Sequence, residues 1–311
     1  MSEQRMWRLT DAAERRAELS GPNGAQWRAG LPQLIADLER RWGVTVRQSL
    51  PGGTAAFVGL ATTHAGTDAV LKATIPGLGA ALREMSVYRE AQGRGYARLL
   101  EADEALEAML LERLGGQLAE SDLAAADQIE RVCETLAVAW RTPADPSRFE
   151  SGAAEARRTM KSIQGLSSTY PKLCSERLIQ IAVGYCQRRE AAFDPGRAVM
   201  AHGDGHAENT LADPSHPGAW KFIDPKGLFV EPEYDLGIVM RGWSDDLLEG
   251  DALSRGMARC DHLAELTGLR REAIWEWGFI ERVASGLYCE QLGLKDWSAS
   301  FLAVAEAWAV I

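Results

Sequence analysis

The segment Ala201-His202-Gly203-Asp204-Gly205-His206-Ala207-Glu208-Asn209 sets a histidine two residues before an aspartate and an asparagine five residues after it. A second aspartate follows in Phe222-Ile223-Asp224-Pro225. Transfer of a phosphoryl group from a nucleoside triphosphate to a hydroxyl asks for such a set. One carboxylate orients and deprotonates the hydroxyl, and two oxygen ligands hold the magnesium ions that bridge the phosphates. On this spacing Asp204 is the candidate catalytic base, and Asn209 and Asp224 are the candidate magnesium ligands. His202 is a support that positions the loop. Three fixed residues recur by chance, and the competing reading is a polar surface loop. The flanks favour chemistry. Thr210-Leu211 and Trp220 to Ile223 read as short strands around a turn, Ala212 to Gly218, rich in Asp, Pro, Ser and Gly. That hairpin brings Asn209 and Asp224 to one end.

The elements upstream should then supply the nucleotide site. Pro32 to Trp42 has apolar residues at helical spacing, with Trp27 and Leu31 extending the face, and Gly43 as a stop. Val44 to Leu50, Ala55 to Thr62 and Ala69 to Thr74 read as strands. Gly52 and Gly53 in the first turn could lie over phosphates, although the glycines alone suit a plain hairpin equally. Lys72, in Val70-Leu71-Lys72-Ala73, resembles the third-strand lysine of the V-A-I-K motif of kinases. The alternative is a solvated edge lysine. Leu82 to Ala91 reads as a helix, from which Glu84, in preference to Glu90, should pair with Lys72. Ala97 to Leu100 and Ala108 to Leu111 read as strands flanking an acidic turn, Glu101 to Glu104. Glu112 to Leu114 then stand, by position only, where hinge backbone groups would bond an adenine edge.

Beyond residue 120 the chain reads as almost wholly helical apart from the catalytic hairpin. Val132, Leu136 and Trp140 form one apolar stripe, and Leu178, Ile181, Ala182 and Tyr185 another. Ile274, Trp277, Ile280, Ala284 and Leu287 form a third, and Phe301, Ala305 and Trp308 a fourth; all read as core. The expected division is a nucleotide-binding lobe with leading helices over 1–113 and a helical catalytic and substrate-binding lobe over 114–311.

Composition narrows the function classes. The 311 residues are 46% hydrophobic and 25% charged, which suits a folded globular chain. No run approaches the ~18 apolar residues of a membrane span, and the N-terminus lacks a secretion signal, so a cytoplasmic protein is expected. Five scattered cysteines without a C-x-x-C pair imply neither a disulfide framework nor a zinc site. The formal net charge of −10 disfavours nucleic acid and suits a cationic ligand. The missing G-x-x-x-x-G-K-[ST] removes P-loop proteins. Gly93-x-Gly95 follows a helix and has Arg98 where a third glycine belongs, which removes a dinucleotide-binding reading.

The lysine strand, the helix glutamate, Leu110-Leu111-Glu112-Arg113-Leu114 and the His-x-Asp-x4-Asn…Ile-Asp-Pro block together resemble the aminoglycoside phosphotransferase family. Trp27-Arg28-Ala29-Gly30-Leu31-Pro32, Ile223-Asp224-Pro225-Lys226-Gly227-Leu228 and Tyr234-Asp235-Leu236 look most like its streptomycin 6-phosphotransferase and hydroxyurea resistance kinase branch. The resemblance spans residues 25 to 300. It implies an α+β, bilobal, protein-kinase-like fold with a small antiparallel-sheet lobe and a larger helical one. It also implies ATP and Mg2+ as cofactors, ATP binding between the lobes, and 6-phosphorylation of streptomycin giving resistance. Asp204 becomes the base, Asn209 and Asp224 the metal ligands, Lys72 with Glu84 the phosphate-binding pair, and Asp235 a brace for the catalytic loop. Two departures stand out: Gly205 replaces a larger apolar residue and could loosen the loop, and Pro225-Lys226 replaces the Phe-Gly of protein kinases. The expected partner is a cationic small molecule, with no nucleic acid or membrane, on a monomer or weak dimer. Glu231, Glu233, Trp243, Asp245, Trp277 and Glu281 are the candidate substrate-binding residues; each alone better suits a solvated face or core, and only as a set do they favour a cation. The rival readings are a kinase for another alcohol or antibiotic (choline-like, macrolide or viomycin type) and a non-catalytic ATP-binding module. A protein kinase is disfavoured by the absence of an A-P-E segment.

Overall fold

A computed structural model describes residues 7–77 and 79–310. The N-terminal residues on which the secretion-signal expectation falls lie outside the described part. The chain divides into two compact units, Met1–Leu114 and Gly115–Ile311.

The first unit opens with α1 (Asp11–Leu19) and α2 (Gly21–Trp42), followed by β1 (Val44–Ser49), β2 (Ala56–Thr63), β3 (Asp68–Thr74), α3 (Ala80–Ala91), β4 (Leu99–Asp103) and β5 (Ala108–Glu112). The strands form one antiparallel sheet in the order β1-β2-β3-β5-β4. Trp27, Leu31, Ile35 and Leu38 of α2 pack with Val46, Phe57, Leu71 and Leu110 of the sheet into one core. Helix α2 starts earlier than the apolar spacing indicates, and α1 precedes it in a stretch for which the leading helices were expected without bounds. Glycines and Pro32, residues that ordinarily punctuate a helix, lie inside α2. A Cβ at Gly24 would lie 2.0 Å from the Ala17 carbonyl oxygen, so this glycine is what lets α2 cross α1 closely. Strand β4 also runs further than its apolar residues suggest. Glu101 and Asp103 pair within the ladder, and the turn falls at Glu104 to Glu107. Acidic side chains suit an edge strand, where one side of the ladder meets water.

The second unit contains α4 (Ala125–Ala139), β6 (Glu150–Ser151), α5 (Gly152–Thr169), α6 (Glu176–Ala191), β7 (Val199–Ala201), β8 (Thr210–Ala212), β9 (Trp220–Phe222), β10 (Leu228–Val230), α7 (Glu233–Arg241), α8 (Ser244–Leu248), α9 (Ala252–Thr267), α10 (Arg271–Gln291) and α11 (Lys295–Trp308). Strand β10 lies between β6, parallel, and β7, antiparallel. Strands β8 and β9 form the expected hairpin, with Thr210 opposite Phe222. Helices α7 and α10 touch backbone to backbone. A Cβ on Gly237 would stand 2.5 Å from Trp277 Cβ, and one on Gly278 2.5 Å from Met240 Cβ. No helix among the described residues is long and apolar enough to cross a membrane.

Candidate active site

Strand β7 delivers the chain to His202, and a single buried carboxylate fixes the loop that begins there. Asp235, on α7, accepts from the backbone N–H groups of His202 (3.0 Å) and Gly203 (2.7 Å) and from Trp140 Nε1 (2.8 Å). Burial pushes its pKa up, and these three donors pull it back. The brace expected at Asp235 is therefore present in the geometry.

His202 is fully buried. Its Nδ1 accepts from the Asp204 N–H at 3.0 Å, so the proton sits on Nε2, which donates to the Ile223 carbonyl at 2.9 Å. Burial lowers its pKa to about 4, which keeps the ring neutral. One imidazole thus ties the Asp204 loop to the residue preceding Asp224. With its ring turned onto backbone, His202 serves position rather than proton transfer. Gly205 does not loosen this loop: a Cβ there would meet Leu136 at 3.3 Å and Phe222 at 3.5 Å, so the backbone already lies against the core.

The Asp204 side chain is 28% exposed. Burial opposes its ionisation, but Lys226, Arg241 and His206 outweigh it and hold the carboxyl well below the usual carboxylate range. Arg241 Nη2 donates to Oδ1 at 2.7 Å, and His206 Nε2 lies 3.8 Å from Oδ2. His206 also meets Glu208 at 2.6 Å through Nδ1. Burial lowers the His206 pKa, yet Asp204 and Glu208 raise it to about 9. The Asn209 amide nitrogen, 3.1 Å from Nε2, suits a neutral ring; with two carboxylates against one amide, the charged form prevails.

At the hairpin end, Ile223 N–H donates to the Asn209 carbonyl at 2.9 Å, which sets Asn209 beside the approach to Asp224. Asn209 Nδ2 donates to the Asp204 carbonyl oxygen at 3.0 Å, which fixes the amide and leaves its oxygen outside that bond. Asp224 has φ 59°, a left-handed conformation that costs a non-glycine residue about 1–2 kcal/mol. Such strain concentrates at functional positions. An amide oxygen and a carboxylate are hard donors that suit Mg2+, which takes one or two protein ligands and completes its shell with phosphates and water.

In the first unit, Lys72 Nζ donates to both Glu84 oxygens at 2.8 Å, and both side chains are buried. Gly52 and Gly53 take φ 101° and 80°, and the Gly53 carbonyl accepts from Thr10 Oγ1 at 2.8 Å, so the turn is tethered to the N-cap of α1. The Glu112 N–H is taken by the Arg98 carbonyl at 2.9 Å, which removes it from the groups open to an adenine, and Leu114 is buried.

The second unit also has a cavity of about 580 Å3, walled by His206, Glu208, Arg241, Trp243, Asp245, Asp296 and Trp297 among others. Trp243 and Asp245 were expected at the substrate. Glu231, Glu233, Trp277 and Glu281 do not line the cavity. Glu231 accepts from Arg189, Arg270 and Trp277 Nε1, and Glu233 from Arg197 and Arg270. Trp277 is 1% exposed, and Glu281 accepts from Tyr234 behind Arg241. These four were chosen by type, and arginines from α6, the β7 approach and the start of α10 take up the two acids nearest α7. Arg241, His206, Glu208, Asp296 and Trp297 were missed. His206 lies inside the motif and carried a signal. Trp297 continues the stripe of Phe301 and Trp308, so its periodicity reads as core.

The family model for the aminoglycoside/hydroxyurea antibiotic resistance kinases matches residues 41–293. The chain belongs to this family. It is 30% identical over 305 residues to the streptomycin 6-kinase of Streptomyces griseus, covering 96% of this chain and 95% of that one. It is 29% identical over 269 residues to the hydroxyurea phosphotransferase of Kitasatospora aureofaciens, covering 82% and 76%. Among solved structures, the choline kinase of Streptococcus pneumoniae superposes with a TM-score of 0.60 at 14% identity, covering 91% of this chain and 100% of that one. That likeness speaks to the fold, which is the α+β protein-kinase-like one expected. This resistance kinase is thus a phosphotransferase with a hydroxyl acceptor.

Proposed function

We propose that this kinase transfers the γ-phosphoryl group of ATP to a hydroxyl of a polycationic antibiotic, streptomycin at its 6-hydroxyl. The observation that carries the reading is the cavity bounded by His206 and Arg241, the two residues beside the Asp204 carboxylate, and walled further out by Asp245 and Asp296. Neither outer acid has a side-chain hydrogen bond or ion pair among the described residues, and both are exposed. Streptomycin carries two guanidinium groups, each able to donate two parallel hydrogen bonds to a carboxylate. Trp243 and the 55% exposed Trp297 offer faces for the same groups.

Asp204 accepts the proton of the acceptor hydroxyl as that oxygen bonds the γ-phosphorus and ADP departs. Its low pKa keeps it ionised at neutral pH, so it is always ready to orient the hydroxyl. Asn209 and Asp224 would hold Mg2+, which would supply charge neutralisation for the phosphates, and Lys72, paired with Glu84, would bind phosphate oxygens. His202 and Asp235 hold the loop. The retention of all of these side chains argues against a non-catalytic nucleotide-binding module.

A choline-like alcohol is the second reading, because exposed acids and tryptophans also suit a quaternary ammonium. Coupled ADP release with Mg-ATP against streptomycin, kanamycin, viomycin, hydroxyurea and choline separates them. Turnover with streptomycin alone is expected. Turnover confined to choline or hydroxyurea moves the substrate, and silence across the panel with ATP still bound sinks the antibiotic reading.

A further inference from the structure

Arg241 ends α7, and its guanidinium is held from two sides. Nη2 donates to Asp204 Oδ1 at 2.7 Å. Nη1 donates to Ser285 Oγ at 3.3 Å and lies 3.6 Å from Glu281 Oε2. Glu281 and Ser285 stand one turn apart on α10, so a single helix face grips the group from behind. Glu281 is itself held by the Tyr234 hydroxyl at 3.0 Å. The glycine contact between α7 and α10 fixes the distance that Arg241 must span. Its side chain is 13% exposed and borders the cavity.

A carboxylate turns easily about its terminal torsion, which has a broad, two-fold profile. An arginine bond to one oxygen removes that freedom and decides which oxygen is left for the substrate. We propose that Arg241 is a positioning residue for phosphoryl transfer: it locks Asp204 through Oδ1 and presents Oδ2 to the acceptor hydroxyl. The inference rests on the reading of Asp204 as the base. In the step itself the hydroxyl proton passes to Oδ2 and the acceptor oxygen bonds the γ-phosphorus. The bond from that phosphorus to the β,γ-bridging oxygen breaks, and ADP leaves. Arg241 keeps its charge throughout. The competing role is a plain strut between α7 and α10, which predicts lost stability and no effect on the chemical step.

Steady-state kinetics of Arg241→Ala, Arg241→Gln and Arg241→Lys separate the two. Misorientation of a reacting group costs about 100-fold, so kcat of the Ala variant should fall by about that factor with both KM values within about threefold. Arg241→Lys should recover part of the loss. Guanidinium chloride at about 10 mM, far below denaturing levels, should restore kcat at least about tenfold in Arg241→Ala and leave the wild type and Asp204→Asn unchanged. Should the Ala variant fold poorly, Arg241→Gln, which keeps a donor for Ser285, carries the same expectation. Unchanged kcat, or a loss that only tracks the folded fraction and resists guanidinium, overturns the inference. If the wild type turns over no antibiotic, the substrate reading fails separately. Arg241 is then read from ATP hydrolysis to water: an equal loss in the variants supports it, and wild-type hydrolysis overturns it.

Discussion

The second unit holds two sets of carboxylates that look alike in the sequence and differ in every physical respect. Glu231 and Glu233 are 4% and 0% exposed, and arginines meet both. Asp245 and Asp296 are exposed on the cavity wall and meet no cation among the described residues. Asp246, beside Asp245, is already spent on Arg255 and Arg259. Supply of partners, rather than acidity, separates the sets. Helix α6 and the start of α10 deliver Arg189 and Arg270 to the first set, which becomes part of the fold. The second set stays exposed on the cavity wall.

Three variants sharpen that contrast. Glu231→Ala strips the buried Arg189 and the Trp277 indole of an acceptor. Breaking a buried pair from one side costs about 3–5 kcal/mol, so chemical denaturation should show a loss of that order while KM for the antibiotic holds. A raised KM with full stability would put Glu231 at the substrate after all. His202 gives the next effect. Its pKa of about 4 in the folded chain lies below the ordinary value of 6.5, so the unfolded chain binds more protons between those values. Its contribution, roughly 3 kcal/mol, is complete above pH 6.5 and lost as pH falls towards 4. Denaturation midpoints of His202→Gln across that window should lack this part of the slope, and identical slopes would mean the ring is not buried neutral. Smallest is Asp296→Asn, alone or with Asp245→Asn. Each should raise the antibiotic KM by about tenfold, or about 1.4 kcal/mol, at low salt with no change in melting temperature. A fall in melting temperature with KM unmoved would place these acids with the structural set.

The loop and hairpin that carry the candidate site were legible because they are local. Asp204, Asn209 and Asp224 lie on one loop and one hairpin, and spacing alone sets them together. Glu84 was legible from helix phase, and Asp235 through the family resemblance. The cavity wall was not, because α4, α7, α8 and α11 reach it from distant parts of the chain, and only packing decides which of their faces turn inward. Arg241 illustrates this. Nothing near it in sequence marks it, and its place follows from the close crossing of α7 and α10 at Gly237 and Gly278. In the first unit, Gly24, to which the sequence reading gave no role, is the close contact between α1 and α2.

Streptomycin phosphorylation by the wild type and by Asp204→Asn, with ATP affinity measured on both, tests the central claim most directly. With Asp204 as the base, the wild type should place a phosphate ester on the streptomycin 6-hydroxyl. The variant should show a kcat lower by at least about a thousandfold, with ATP affinity within about twofold. Turnover by Asp204→Asn close to that of the wild type would contradict it.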